Sequence, residues 1–155
     1  MGIWVVLIIL SEAFIDLYVK NRVKKHYERL EETGGEKNLP PVLSHKGFIR
    51  VTRPYKNPGA ILGFLKKKKV LLNVLTVLVM LLALAAIVFF TIEKDDAVIP
   101  LAIMYGGGLA NFIDRMRHGA VTDFLVIKPV KNVVFNLADL FIFIGALIAI
   151  ADMIL

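Results

Sequence analysis

The sequence contains no cysteine and only two serines, Ser11 and Ser44. The first absence removes disulfides, thiolate metal sites, cysteine nucleophiles and lipidation of the chain on a cysteine of its own. Neither serine has a histidine and a carboxylate beside it in sequence, as an activated hydroxyl nucleophile requires. The three histidines, His26, His45 and His118, lack HExxH or similar ligand spacing. Serine, cysteine and zinc chemistry are therefore disfavoured, and neither a metal nor a cofactor is expected. Aspartate is what remains.

What the chain has in abundance is apolar residues: 57% are hydrophobic, and the mean hydropathy is +0.71. Apolar runs of roughly 18 residues or more read as membrane-spanning helices, and the length of 155 residues suits one domain. The expected fold is mainly α, a polytopic membrane protein with four transmembrane helices and a small extracytoplasmic β-containing cap. The spans fall at about 1–19, 70–92, 97–113 and 135–155, with the cap over 20–69. The start lacks the basic residues and cleavage site of a signal peptide, so it reads as a retained anchor.

Glu12, Asp16 and Lys20 follow at i, i+4 and i+8, which places them on one helical face. After Asn21 the sequence NRVKKHYERLEE suggests a short surface helix ended by Gly34-Gly35. VLSHKGFIRVTRPY suggests a strand, with Pro54 confining it to a sheet edge. Lys66 to Lys69 reads as a headgroup anchor for the next helix. Gly106, Gly107, Gly108 and Ala110 permit close approach between helices; no P-loop lysine follows them. Asp114 to Val134 reads as a polar loop.

The net charge of +6 is concentrated, with 14 Lys and Arg against 4 Glu over residues 20–69. In a membrane protein this points to anionic lipid headgroups, and no base-stacking motif supports a nucleic-acid partner.

Four spans place both termini on one side of the membrane and both long polar loops on the other. Asp123, in the second loop, then comes near Asp139, one turn into the last span. Two carboxylates sharing a proton provide one base and one acid, enough to activate water and protonate a leaving amine. Arg115, Asn111 and Asn136 are placed to orient the pair or to bind substrate carbonyls. The same residues have a plainer reading. Asp139 is also a helix-start charge with Asn136 as its N-cap, and Arg115, Arg117 and Asp114 also suit ordinary loop charges.

Five landmarks resemble lipoprotein signal peptidase, also called signal peptidase II. Asp16 and Lys20 match D-x-x-x-K; Asn57, Gly59 and Ala60 match N-x-G-A. Asn111, Asp114 and Arg115 match N-x-x-D-R, followed by Asp123-Phe124 in V-x-D-F, and Phe135 to Asp139 matches F-N-x-A-D. The resemblance implies a bacterial inner-membrane aspartic endopeptidase, multi-pass, with its active site near the outer face. It would cleave prolipoproteins just before a diacylglyceryl-modified cysteine. By position it implies Asp123 and Asp139 as the catalytic dyad. Asn57, Gly59, Ala60, Gly107, Asn111, Asp114, Arg115, Asn136, Ala138, Asp16 and Lys20 would bind substrate or support the pair. Leu17, Ala110 and Ile61-Leu62 depart from the family's usual residues, and the segment from Lys20 to Asn57 is longer than usual. A reading of a different class is a non-catalytic scaffold or small transport subunit with its polar face along a permeation path.

Charge and resemblance disagree on orientation. Residues 20–69 carry +10 and 114–134 carry +2, against −2 for 93–96, so the positive-inside rule puts the long loops in the cytoplasm. The resemblance puts them outside, and its residue-specific motifs outweigh the count.

Overall fold

The computed structural model describes residues 2–33, 49–58, 69–127 and 133–154. Its elements are α1 (Gly2–Glu32), β1 (Ile49–Asn57), α2 (Lys69–Glu93), α3 (Val98–His118), β2 (Val121–Ile127), β3 (Val134–Phe135) and α4 (Leu137–Ile154). Three helices, Gly2–Glu32, Val70–Glu93 and Leu137–Ile154, are long and apolar enough to cross a membrane. The expected third span, α3, is not among them; Asp114, Arg115, Arg117 and His118 crowd its C-terminal turns.

α3 is central and packs against α1, α2 and α4. At one level Val5, Ile87, Val98 and Ala102 join α1, α2 and α3. At another, Ala13, Ala110 and Ala138 join α1, α3 and α4. Lipid tails supply no hydrophobic drive between helices, so small residues that let backbones meet carry the association. Gly106 lies against Glu12 and the Ile9 carbonyl, and Gly107 against the Ala138 carbonyl; a Cβ at either position would collide. Gly108 has open space around its missing Cβ, so only part of the triple-glycine expectation is met. Much of α2 finds no protein partner among the described residues, with Val70 at 77% and Leu82 at 64% exposure, a surface suited to lipid.

Several expected boundaries move. α1 does not break near residue 20; it continues to Glu32, because NRVKKHYERLEE holds no glycine or proline to stop it. At about 1.5 Å per residue its 31 residues span about 46 Å, longer than a hydrocarbon core of about 30 Å. The projecting end carries the sheet: the Tyr27 hydroxyl donates to the Val51 carbonyl at 3.4 Å, and Arg53 pairs with Glu31. Gly34-Gly35, His45 and the run 66–68 lie outside the described residues.

The expected polar loop 114–134 is largely ordered structure. α3 runs on to His118 and ends where Gly119, at φ 70°, donates its N–H to the Arg115 carbonyl at 2.8 Å, a left-handed helix stop. β2 then forms the centre of a three-stranded antiparallel sheet, order β1-β2-β3. Phe135, expected to open the last span, belongs with Val134 to β3, and α4 begins at Leu137. β1 is an edge strand among the described residues, as Pro54 requires.

The glycine contacts separate two neighbouring substitutions. Gly107→Ala is expected to destabilise the protein by about 1–3 kcal/mol through overpacking. Gly108→Ala is expected to stabilise it by roughly 0.5–1 kcal/mol through reduced chain entropy. Thermal unfolding in detergent of both variants checks the difference in sign.

Candidate active site

The site forms where the C-terminal part of α3, the middle of α1, the head of α4 and the sheet converge. Asp123 on β2 is buried and held from two sides. Asn57 Nδ2 on β1 donates to its Oδ2 at 3.0 Å, and Asn136 Nδ2 donates to its Oδ1 at 2.7 Å. Asp139, at the head of α4, accepts from Asn111 Nδ2 at 2.9 Å and from the Asn136 backbone N–H at 3.1 Å. Asn136 Oδ1 in turn accepts the Asp139 N–H at 2.9 Å. This is a reciprocal helix cap. The plain reading of Asp139 as a capped helix start is therefore correct, and it coexists with a contact from the same asparagine to Asp123.

The orientation of each amide is dictated by its neighbours. Asn136 must present its oxygen to a backbone N–H, which turns its nitrogen to Asp123. Asn111 must present its oxygen to Lys20 Nζ at 2.9 Å, because an ammonium only donates; its nitrogen is left for Asp139. Lys20 also pairs with Asp16 at 2.7 Å and Asp114 at 3.4 Å. All three charged groups are buried, Lys20 at 4% exposure. Asp16 Oδ1 further accepts the Ala138 N–H at 2.9 Å, which satisfies one of the orphan donors at the start of α4.

Asp114 holds the entry to β2: its Oδ2 accepts the Thr122 N–H at 2.7 Å, and its Oδ1 meets His118 Nδ1 at 2.7 Å. Lys56 Nζ on β1 donates to Thr122 Oγ1 at 2.8 Å. Arg115 lies within electrostatic reach of Asp123, Asp114 and Asp139, and its buried Nε has no hydrogen-bond partner among the described residues. Burial pushes the Asp123 carboxyl up to about 6; the hydrogen bonds from Asn57 and Asn136 pull the other way, and the nearby Asp139 charge adds to the rise. Two carboxylates close enough to interact, with the proton affinity of Asp123 raised, are the equipment of acid–base hydrolysis.

Asp16, Lys20, Asn57, Asn111, Asp114, Asp123, Asn136 and Asp139 are thus brought together, with Arg115 beside them. Gly107 and Ala138 contribute backbone contact rather than side-chain chemistry. Gly59 and Ala60 lie outside the described residues. Among those residues no cluster of three or more His, Cys, Asp or Glu side chains is arranged to hold a metal ion. Three participants went unread in the sequence. Thr122 occupies the variable position of V-x-D-F, Lys56 sits one residue before Asn57, and His118 follows Asp114 by four residues. That last spacing becomes a signal only once α3 is known to reach His118.

Replacing Lys20 by methionine strips Asp16 and Asp114 of their shared cation and leaves the Asn111 oxygen unmatched. A loss of about 3–5 kcal/mol is expected for a broken buried ion pair, and chemical denaturation of the Lys20→Met variant in detergent measures it.

The chain matches the signal peptidase (SPase) II family over residues 5–155. It is 33% identical to the lipoprotein signal peptidase of Syntrophus aciditrophicus (strain SB) over 155 residues, 96% of this chain and 88% of that protein. It is 40% identical to that of Moorella thermoacetica over 111 residues, 72% of this chain and 70% of that protein. Its fold is similar to that of a bacterial membrane enzyme solved in meso at 2.3 Å: TM-score 0.68, 24% identity, 96% of this chain and 86% of that chain covered.

Proposed function

The chain belongs to the signal peptidase II family and is a bacterial membrane peptidase; on that premise we propose that it removes signal peptides from prolipoproteins, with Asp123 and Asp139 as its catalytic dyad. Cleavage would fall just before a diacylglyceryl-modified cysteine. One observation carries the assignment: Asn136 contacts both carboxylates, Asp123 through its amide nitrogen and Asp139 through the reciprocal cap.

The pair shares one proton. Asp123, with its raised proton affinity, holds it. Asp139 sits at a helix N-terminus, where negative charge is favoured, and draws a proton from water as that water attacks the scissile carbonyl. The protonated partner delivers its proton to the leaving nitrogen as the C–N bond breaks. The products are a carboxylate on the signal peptide and a free amine on the lipid-bearing cysteine. Arg115 is positioned to receive the developing oxyanion. Asn57, Asn111 and Asn136 hold the dyad, while Asp16, Lys20 and Asp114 brace the helices that present it. Gly107 supports the site by close contact with Ala138. Gly59 and Ala60 keep their proposed supporting role on motif position alone.

The whole chain, 1–155, is read as one membrane-embedded domain, with α3 as a fourth span beside the three long apolar helices. The sheet and the projecting end of α1 form the extracytoplasmic cap. Exposed Arg22, Lys24, Lys25 and Arg29 suit anionic lipid headgroups rather than nucleic acid. The polar face of α1 is engaged with α3 and α4 through Asn111, Asp114 and Ala138. That inward engagement favours a peptidase over a transport subunit with a permeation path.

Asp123→Asn and Asp139→Asn are each expected to lower cleavage of a diacylglyceryl prolipoprotein at least about 100-fold, with thermal stability retained. In the wild type kcat/KM should fall as pH rises through about 6, where the shared proton is lost. Near-normal turnover in either variant rules out the dyad.

The active site is placed at the outer face of the inner membrane, against the charge count. A reporter fused after residue 155 should then be cytoplasmic; an external reporter reverses the orientation.

A further inference from the structure

Tyr55 is not accounted for by the machinery above, and its position in the sheet is specific. β1 pairs with β2 so that Tyr55 lies directly opposite Asp123, and Asn57 lies opposite Val121. Side chains alternate across a strand, so Tyr55, Asn57 and Asp123 share one face of the sheet. Lys56 and Thr122 share the other, as their 2.8 Å hydrogen bond requires. Asn57 is joined to Asp123. Tyr55, directly across from that carboxyl, is 54% exposed, and its ring makes no aromatic contact among the described residues. Directly opposed side chains stand about 4.5–5.5 Å apart at Cβ, so a large ring stands open beside the carboxylate.

An irregularity in the ladder produces this pairing. Val51 lies opposite Leu125, yet Tyr55 rather than Arg53 lies opposite Asp123. β1 therefore takes two extra residues between these points. A two-residue excursion preserves which face each side chain occupies and changes only which one meets the carboxylate. Without it the guanidinium of Arg53 would oppose Asp123. With it, Arg53 instead pairs with Glu31 on α1, and a neutral aromatic takes its place. Bulges are frequent beside active sites because they re-aim side chains.

We propose that Tyr55 is a substrate-positioning residue whose ring packs against the prolipoprotein segment next to the scissile bond. The inference rests on the peptidase reading and adds a contact to it. A half-exposed aromatic provides a large contact area with few rotatable bonds, so ordering it on substrate binding is inexpensive. The contact is made in the ground state and the transition state alike, so its removal raises KM more than it lowers kcat.

The test uses purified full-length enzyme in detergent with a diacylglyceryl prolipoprotein, comparing wild type, Tyr55→Ala, Tyr55→Phe, Tyr55→Arg and Asp139→Asn. Tyr55→Ala should raise KM roughly tenfold, with kcat within about threefold and an unchanged melting temperature. Tyr55→Phe, which keeps the ring, should hold KM within about twofold. Tyr55→Arg should move the alkaline limb of the pH profile to lower pH by adding a cation opposite Asp123. That carboxyl is already faced by Lys20 from α1, Arg115 from α3, Asn57 from β1 and Asp139 from α4. An unchanged KM in Tyr55→Ala, an equal rise in Tyr55→Phe, or an unmoved limb in Tyr55→Arg overturns the proposal. An inactive wild type or an active Asp139→Asn would instead strike the peptidase reading itself.

Discussion

A single buried ammonium group, Lys20 Nζ on α1, sets the geometry of the site. It has three protons to donate and meets three acceptors, Asp16, Asn111 and Asp114, so a buried cation is matched in both charge and hydrogen-bonding capacity. Because it can only donate, it fixes which end of the Asn111 amide faces it. That choice delivers the amide nitrogen to Asp139. A cation on α1 thus orients an amide on α3, which orients a carboxylate on α4. In lipid, where apolar contact between helices is weakly driving, such polar contacts and the small residues at Gly106 and Gly107 determine how the helices dock.

The same logic accounts for what the sequence disclosed. The spacing of Asp16 and Lys20 announced a polar helical face, and that face is buried against α3 and α4. Asn136 was legible as a helix cap and Asp123 as a polar residue in an apolar chain. β2 was not legible. Its residues Val121 to Leu125 are all buried, so no inside–outside alternation marks the strand, and Thr122 and Asp123 made it resemble a loop. The end of α3 was hidden for a related reason. Asp114, Arg115, Arg117 and His118 look like loop charges, yet Asp114 and Arg115 turn toward the site. α1 was cut short because a change from apolar to polar composition marks a membrane boundary and not a helix end.

Asn136 shows why two readings of one residue need not compete. As a cap it satisfies the start of α4, and as a donor it holds Asp123. A helix N-terminus needs an oxygen and a carboxylate needs an N–H, and a carboxamide carries one of each. An aspartate at position 136 would cap equally well but would place a third negative charge against the pair. A serine would cap without spanning the distance to Asp123.

The proposed dyad also depends on strand register in a way that isolated motifs do not convey. β2 is pinned on both sides, by β1 through pairs such as Lys56 with Thr122 and by β3 through Leu125 with Phe135. A slip of one residue on either side would turn Asp123 to the opposite face of the sheet, away from Asn57 and Asn136. β3 is only two residues long, but it fixes where the chain leaves the sheet. The step from Phe135 through Asn136 into Leu137 converts strand into helix without a loop. Asp139 is thereby held within one turn of the strand that aligns Asp123. A flexible connection at this point would leave the two carboxylates on independently moving elements. The continuous turn from sheet to helix couples them, and the short spacing within FNLAD is the sequence trace of that coupling.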